Sequence, residues 1–152
     1  MATESQSKLL RIQSCIRAFT DFPTKGIMFR DICPLLKDPA ALTAAIDLLE
    51  DYVKKNHEEV DLLIGRQSKP CFSLLPLFLQ AEAEMQEDAV EAGQKVLLID
   101  DLLATGGTLY AACELMKRQQ AQVLACLVVI ELKELNGKDK LKPYPVFSLV
   151  KY

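Results

Sequence analysis

Two adjacent aspartates, Asp100 and Asp101, close the apolar run "VLLI", and the short string "ATGGT", Ala104 to Thr108, follows shortly after. Ionised carboxylates only accept hydrogen bonds, which suits them to paired hydroxyls such as those of a sugar, or to a divalent cation. In "ATGGT" Gly106 and Gly107 let the main chain approach an anion closely, and backbone amides at a helix start can cradle it. Thr105 and Thr108 add hydroxyl donors. Side by side, the two halves describe a ligand that carries both a diol and a phosphate. The string is not a Walker loop, because Leu109 follows Thr108 and no lysine stands in the required place, and it lacks the G-x-G-x-x-G of a dinucleotide fold. A strand-end acid pair alone is common in α/β proteins, receiver domains included. An unrelated α/β signalling domain using Asp100 and Asp101 for Mg2+ would leave "ATGGT" and "FRDI" unexplained.

The elements that must position these residues can be read from periodicity. "KVLLID" and "QVLACLVVI" are continuous apolar runs with a helical pattern between them, a strand-helix-strand unit whose strands must be parallel. "VDLLIG", residues 60–65, is a third short strand closed by glycine. In such sheets ligands sit at the carboxyl ends of the strands, which is where the acid pair falls. Leu9, Ile12, Ile16 and Phe19 recur at three- and four-residue spacing and predict a helix over 8–19. "DFPTKGIMFRDICP" reads as an ordered loop. Asp38 and Pro39 supply an N-cap and first-turn proline for a helix ending around 54–56, with Leu42, Ala45, Ile46, Leu49 and Val53 inward. After the turn pair Asn136 and Gly137, "YPVFSLVKY" predicts an edge strand with Pro143 and Pro145 just outside its ladder. "AEAEMQEDAV" is read as a half-exposed strand, and residues 66–80 show no periodicity.

Length and composition bound the rest. With 152 residues, half of them apolar, the chain can bury one substantial core, and one domain over 1–152 is expected. A net charge of -3 argues against a nucleic-acid binder, which needs a clustered positive surface. The five cysteines are scattered without a C-x-x-C pair or a histidine cluster, which predicts reduced thiols, no zinc site and a cytoplasmic location. The polar start "MATESQSKLLRIQ" has no secretory apolar core, and "CFSLLPLFLQA" is too short to span a membrane.

The string from Val96 to Arg118 resembles the phosphoribosyl pyrophosphate (PRPP) motif of the type I phosphoribosyltransferase family, most closely that of its adenine-specific members. "FPTKGIMFRDICPLLKDP" resembles the purine hood of that family, and "AEMQEDAVEAGQKV" and "VVIELKELNG" through "FSLVKY" resemble its later segments. The resemblance implies a parallel-sheet, Rossmann-like α/β fold with helices on both faces, a hood at about 19–36 and a PRPP-binding core at about 60–135. It implies purine salvage in the cytoplasm by a homodimer that makes AMP and pyrophosphate from adenine and PRPP with Mg2+. Asp100 and Asp101 would then hold the ribose hydroxyls, and Ala104, Thr105, Gly106, Gly107 and Thr108 the 5'-phosphate. Phe29 would stack on adenine with Arg30 beside it, and the backbone of Ile27 and Met28 would read the purine edge. Read without the family, Phe29 is equally a core aromatic and Arg30 an ion-pair partner of Asp31.

The chain departs from that family in its middle. Roughly thirty residues are missing, the equivalent of a helix, a strand and part of a hairpin, so the fold is shortened there. The "DSRG"-type pyrophosphate turn has no counterpart, because Gly65 is followed by "RQSKPCF", where the spacing of Arg66 and Lys69 does not match. The mobile basic hairpin and its catalytic glutamate are also absent, and Ala104 stands where hypoxanthine-guanine relatives carry an aspartate. Glu82 and Glu84 read as a solvated strand face, His57 as a helix-end residue and Cys71 as an unactivated thiol. No residue is therefore assigned to proton transfer. Two functions stay open, an adenine phosphoribosyltransferase-type enzyme and a catalytically impaired AMP- or PRPP-binding variant or non-catalytic subunit.

Overall fold

The computed structural model describes residues 3–21, 25–26, 28–65 and 90–152. They fall into two compact units, residues 1–52 and 53–152. In the first, α1 (Glu4–Ser14) opens with a capping box in which Thr3 and Gln6 bond each other's backbone amides. Strand β1 (Arg17–Thr20) pairs antiparallel with β2 (Met28–Asp31), setting Phe19 opposite Phe29 and Ala18 opposite Arg30. The helix expected over 8–19 thus starts earlier and stops at Ser14, and the segment read as a loop contains a strand. Cross-strand pairing overrides the local three-and-four spacing, so Ile12 is fully buried while Phe19 stands 43% exposed.

A short helix α2 (Cys33–Lys37) leads to α3 (Pro39–Asn56), which runs across the boundary between the units. Asp38 caps α3 as its sequence requires, accepting from the amides of Ala40 at 3.0 Å and Ala41 at 3.2 Å. The buried face of α3 is Ala41, Ala44, Ala45, Leu48 and Leu49. It is rotated from the expected stripe: Ala45 and Leu49 are shared with it, while Leu42, Ile46 and Val53 are only half-buried. Cys15, Cys113 and Cys126 carry free thiols.

Among the described residues the second unit holds a four-stranded, all-parallel sheet in the order β3 (Leu62–Gly65), β4 (Lys95–Leu103), β5 (Gln122–Glu131), β6 (Val146–Lys151). Successive residues Val96, Leu97 and Leu98 in β4 and Ala125 to Ile130 in β5 are almost wholly buried. Both faces of these strands are therefore covered, as parallel sheets demand. Helix α4 (Gly107–Arg118) makes the crossover and buries Leu109, Cys113 and Met116 at helical spacing. The thiols of Cys113 and Cys126 lie 3.8 Å apart there, and the neighbouring thiol and burial push that of Cys126 up. A 3-10 turn (Lys133–Leu135) and the four-residue helix α5 (Gly137–Lys140) connect β5 to β6. Strand β6 is the expected C-terminal edge strand, and the carbonyl of Pro145, just before it, accepts from the amide of Cys126. His57 follows the last residue of α3. Residues 66–80, with Arg66, Lys69 and Cys71, and the strand expected over 81–90, with Glu82 and Glu84, lie outside the described residues apart from Val90. No helix among the described residues is long and apolar enough to cross a membrane.

Asp31 ties β2 to β1. Burial alone would raise its pKa, but the Cys33 amide at 2.9 Å and the Arg17 guanidinium outweigh this and hold it below the ordinary value of 3.8. A depressed carboxylate stabilises the fold fully above its unfolded pKa and loses that contribution as pH falls through the folded one. Asp31→Asn should cost about 1–2 kcal/mol at about pH 7. In urea unfolding of both proteins, the wild-type advantage should shrink toward zero by about pH 3 or below; a difference constant over that range would contradict this account.

Candidate functional site

Strand β4 runs past Asp100, where the expected run closed, and continues through Leu103, with Asp100 opposite Val128 and Leu103 opposite Glu131. Ladder pairing continues beyond the apolar run because main-chain bonding is indifferent to side-chain polarity. Asp100 is buried at 5% exposure and Asp101 half-buried. Each carboxylate accepts from the next amide in the chain, Asp100 from Asp101 at 2.9 Å and Asp101 from Leu102 at 2.8 Å. These bonds orient both side chains at the carboxyl end of a buried strand.

Ala104, Thr105 and Gly106 form the turn out of β4, and Gly107 begins α4. Gly106 is the N-cap residue, at φ 83° and ψ 1°, a left-handed conformation that a side chain would strain. Its carbonyl accepts the first helical bond, from the amide of Tyr110 at 2.9 Å. No side chain caps this end, and the first turn of α4 holds no acidic residue. The helix start thus presents amides that have no intrahelical partner, together with the positive end of the backbone dipole. Thr105 and Thr108 are exposed beside it. An anion is what such a surface binds, and the neighbouring carboxylates suit hydroxyls attached to it.

Among the residues predicted for the purine, Met28 stands 46% exposed in β2, Arg30 is half-buried, and Phe29 is placed in the same strand by its backbone. Ile27 lies outside the described residues. These residues belong to the first unit, and the acid pair and loop to the second. Asp31, the alternative partner considered for Arg30, is ion-paired with Arg17 from β1. Among the described residues, no group of three or more histidines, cysteines, aspartates or glutamates could hold a metal ion.

Sequence reasoning treated Asn136 and Gly137 only as a turn pair. In the structure Gly137 abuts the loop main chain to main chain: a Cβ there would stand 2.3 Å from the Ala104 carbonyl oxygen and 2.9 Å from the Gly106 nitrogen. Reciprocally, a Cβ on Gly106 would stand 2.6 Å from the Gly137 carbonyl oxygen. The only local signal was the Asn-Gly dipeptide, which marks a turn without saying what the turn touches.

Residues 79–151 match the phosphoribosyl transferase domain family. The chain is 42% identical to the adenine phosphoribosyltransferase of Homo sapiens over 179 residues, covering 97% of this chain and 99% of the relative. That alignment is longer than the 152-residue chain, so the relative carries residues without a counterpart here. Among solved structures, the adenine phosphoribosyltransferase of Thermoanaerobacter pseudethanolicus superposes with a TM-score of 0.80 at 33% identity, covering 95% of this chain and 99% of that one. The Saccharomyces cerevisiae enzyme, solved with an imino-altritol bisphosphate and adenine, superposes with a TM-score of 0.79 at 28% identity, covering 94% and 98%. Kinship over nearly the whole of both chains, in sequence and in fold, means that the chain belongs to the adenine phosphoribosyltransferase family.

Proposed function

We propose that the chain is an adenine phosphoribosyltransferase of purine salvage, converting adenine and PRPP to AMP and pyrophosphate. In that reaction a purine nitrogen forms a bond to C1' of the ribose as the bond from C1' to the pyrophosphate oxygen breaks. Pyrophosphate leaves with the electron pair, and the purine gives up a proton. The observation that carries this reading is the uncapped, left-handed glycine start of α4 directly beyond two oriented carboxylates.

In this reading Asp100 and Asp101 accept from the ribose 2'- and 3'-hydroxyls, and Ala104 to Thr108 bind the 5'-phosphate through backbone amides and the two threonine hydroxyls. Phe29 stacks on adenine beside Arg30, and the backbone of Ile27 and Met28 reads its edge. Hood and core belong to one phosphoribosyltransferase-type domain, which works as a cytoplasmic homodimer. Mg2+ fits a site built this way, because it is commonly held by one or two carboxylates together with substrate phosphates rather than by a protein cage. Asp100 and Asp101 are the residues that would hold it, and it would neutralise charge on the leaving pyrophosphate.

A second reading has specific support. The human relative carries residues that this chain lacks, and the sequence has no counterpart of the family's pyrophosphate turn or basic hairpin. A chain with the ribose-phosphate half of the site alone would bind AMP without turning over. AMP formation from labelled adenine, PRPP and Mg2+ by the purified chain separates the two. The enzyme reading expects turnover that requires PRPP. A folded chain that binds AMP but makes none would decide for the binding variant.

The loop assignment is tested separately by calorimetric AMP titration. Asp101→Asn should weaken AMP binding by about tenfold, the size of one hydrogen bond to a charged group. Gly106→Val should weaken it by more than about a hundredfold, because a branched side chain is strained at positive φ and collides with Gly137. AMP affinity undiminished in both variants would sink the assignment.

A further inference from the structure

This inference rests on the assignment of residues 104–108 to a phosphate, and concerns a group outside that loop. The segment α5 forms a second wall against it. Gly137 touches the loop through main chain alone, at separations that real Cβ atoms do not reach, so α5 is seated on the loop at a fixed distance.

One turn further along α5, the ammonium of Lys140 lies 3.9 Å from the point where Gly107 would carry a Cβ. It also lies 5.6 Å from the centroid of the Tyr110 ring, which gives it a cation-π platform. Gly107 and Tyr110 are both in the first turn of α4. An ammonium is thus held over the start of a helix, the end at which the backbone dipole disfavours a cation. No carboxylate among the described residues forms a salt bridge with Lys140, and the first turn of α4 contributes none. Helix-start amides, the Thr105 hydroxyl and an ammonium therefore gather around one spot, and no carboxylate among the described residues forms a salt bridge with that ammonium. An arrangement that breaks a local electrostatic rule without internal compensation is characteristic of a ligand site.

We propose that Lys140 is a direct charge partner of the ribose 5'-phosphate of AMP and PRPP, and that Gly137 is the positioning residue that holds α5, and with it Lys140, against the loop. The phosphate dianion then receives a charge from α5 beside the loop amides, which strengthens the hydrogen bonds it accepts.

The test is calorimetric titration of AMP into the full chain and its Lys140→Gln and Lys140→Arg variants at several salt concentrations. Lys140 is exposed, so neither substitution disturbs the core. Lys140→Gln should weaken AMP binding about tenfold or more and flatten its salt dependence, and Lys140→Arg should restore most of both. Wild-type affinity in Lys140→Gln would overturn the role of Lys140 while leaving the loop assignment standing. A loss of affinity with unchanged salt dependence would also overturn it, since a merely structural lysine would behave that way. A folded wild-type chain that binds no AMP would overturn the loop assignment and this proposal together. Gly137→Ala should lower AMP affinity as well, and the Lys140 variants decide the matter if that protein does not fold.

Discussion

The second unit depends on one pairing, that of β4 with β5. Its register sets Asp100 beside Val128 and Leu103 beside Glu131, and the amide of Leu132 extends it by bonding the carbonyl of Leu103 at 2.9 Å. Both strands therefore leave the sheet together. The turn that follows β4 becomes the glycine loop that starts α4, and the turn that follows β5 becomes its wall. Neither has to be steered by side chains over a long distance, because a parallel ladder delivers both at the same edge. The apolar residues buried along β4 and β5 hold the two strands in the sheet by covering both of its faces.

The far side of β5 is fixed by a second, polar device. Glu131 is buried and accepts from the Ser148 hydroxyl of β6 at 2.6 Å, which spares the sheet an unpartnered carboxylate. The main chain closes the same corner, with Tyr152 donating to Glu131 at 2.9 Å and Lys133 donating to Tyr152 at 2.7 Å. The C-terminal strand thus anchors both ends of the 3-10 turn and α5 connection. A strand remote from the acids in sequence helps to determine where the loop's neighbour sits.

The central sheet was legible because its signals are local and strong: continuous apolar runs, a helical pattern between them and an acid pair at their end. The N-terminal cap of α3 was legible for the same reason, since Asp38 and Pro39 satisfy the helix's own first turn. The pairing of β1 with β2 was not, because Phe19 obeys helical spacing with Leu9, Ile12 and Ile16, yet its main chain pairs in register with that of Phe29, which helical periodicity does not reveal. Of the candidate site, the residues within "IDDLLATGGT" could be named, since the chemistry is contiguous. Gly137 and Lys140 could not, because their meaning lies in what they touch some thirty residues upstream, and a glycine in a turn has the same local signature whether it faces water or another backbone.

The encounter of Gly106 with Gly137 also limits how this sequence can drift. Each would-be Cβ meets the other residue's main chain at less than 3.0 Å, so trimming a neighbouring side chain opens room for neither. Ordinary core positions exchange volume, one residue shrinking as another grows; these two have nothing to exchange. The pair is therefore an epistatic dead end. Any lineage that enlarges one glycine must displace a strand end or a helix before it regains the loop, so neither position can change without main chain moving at the other.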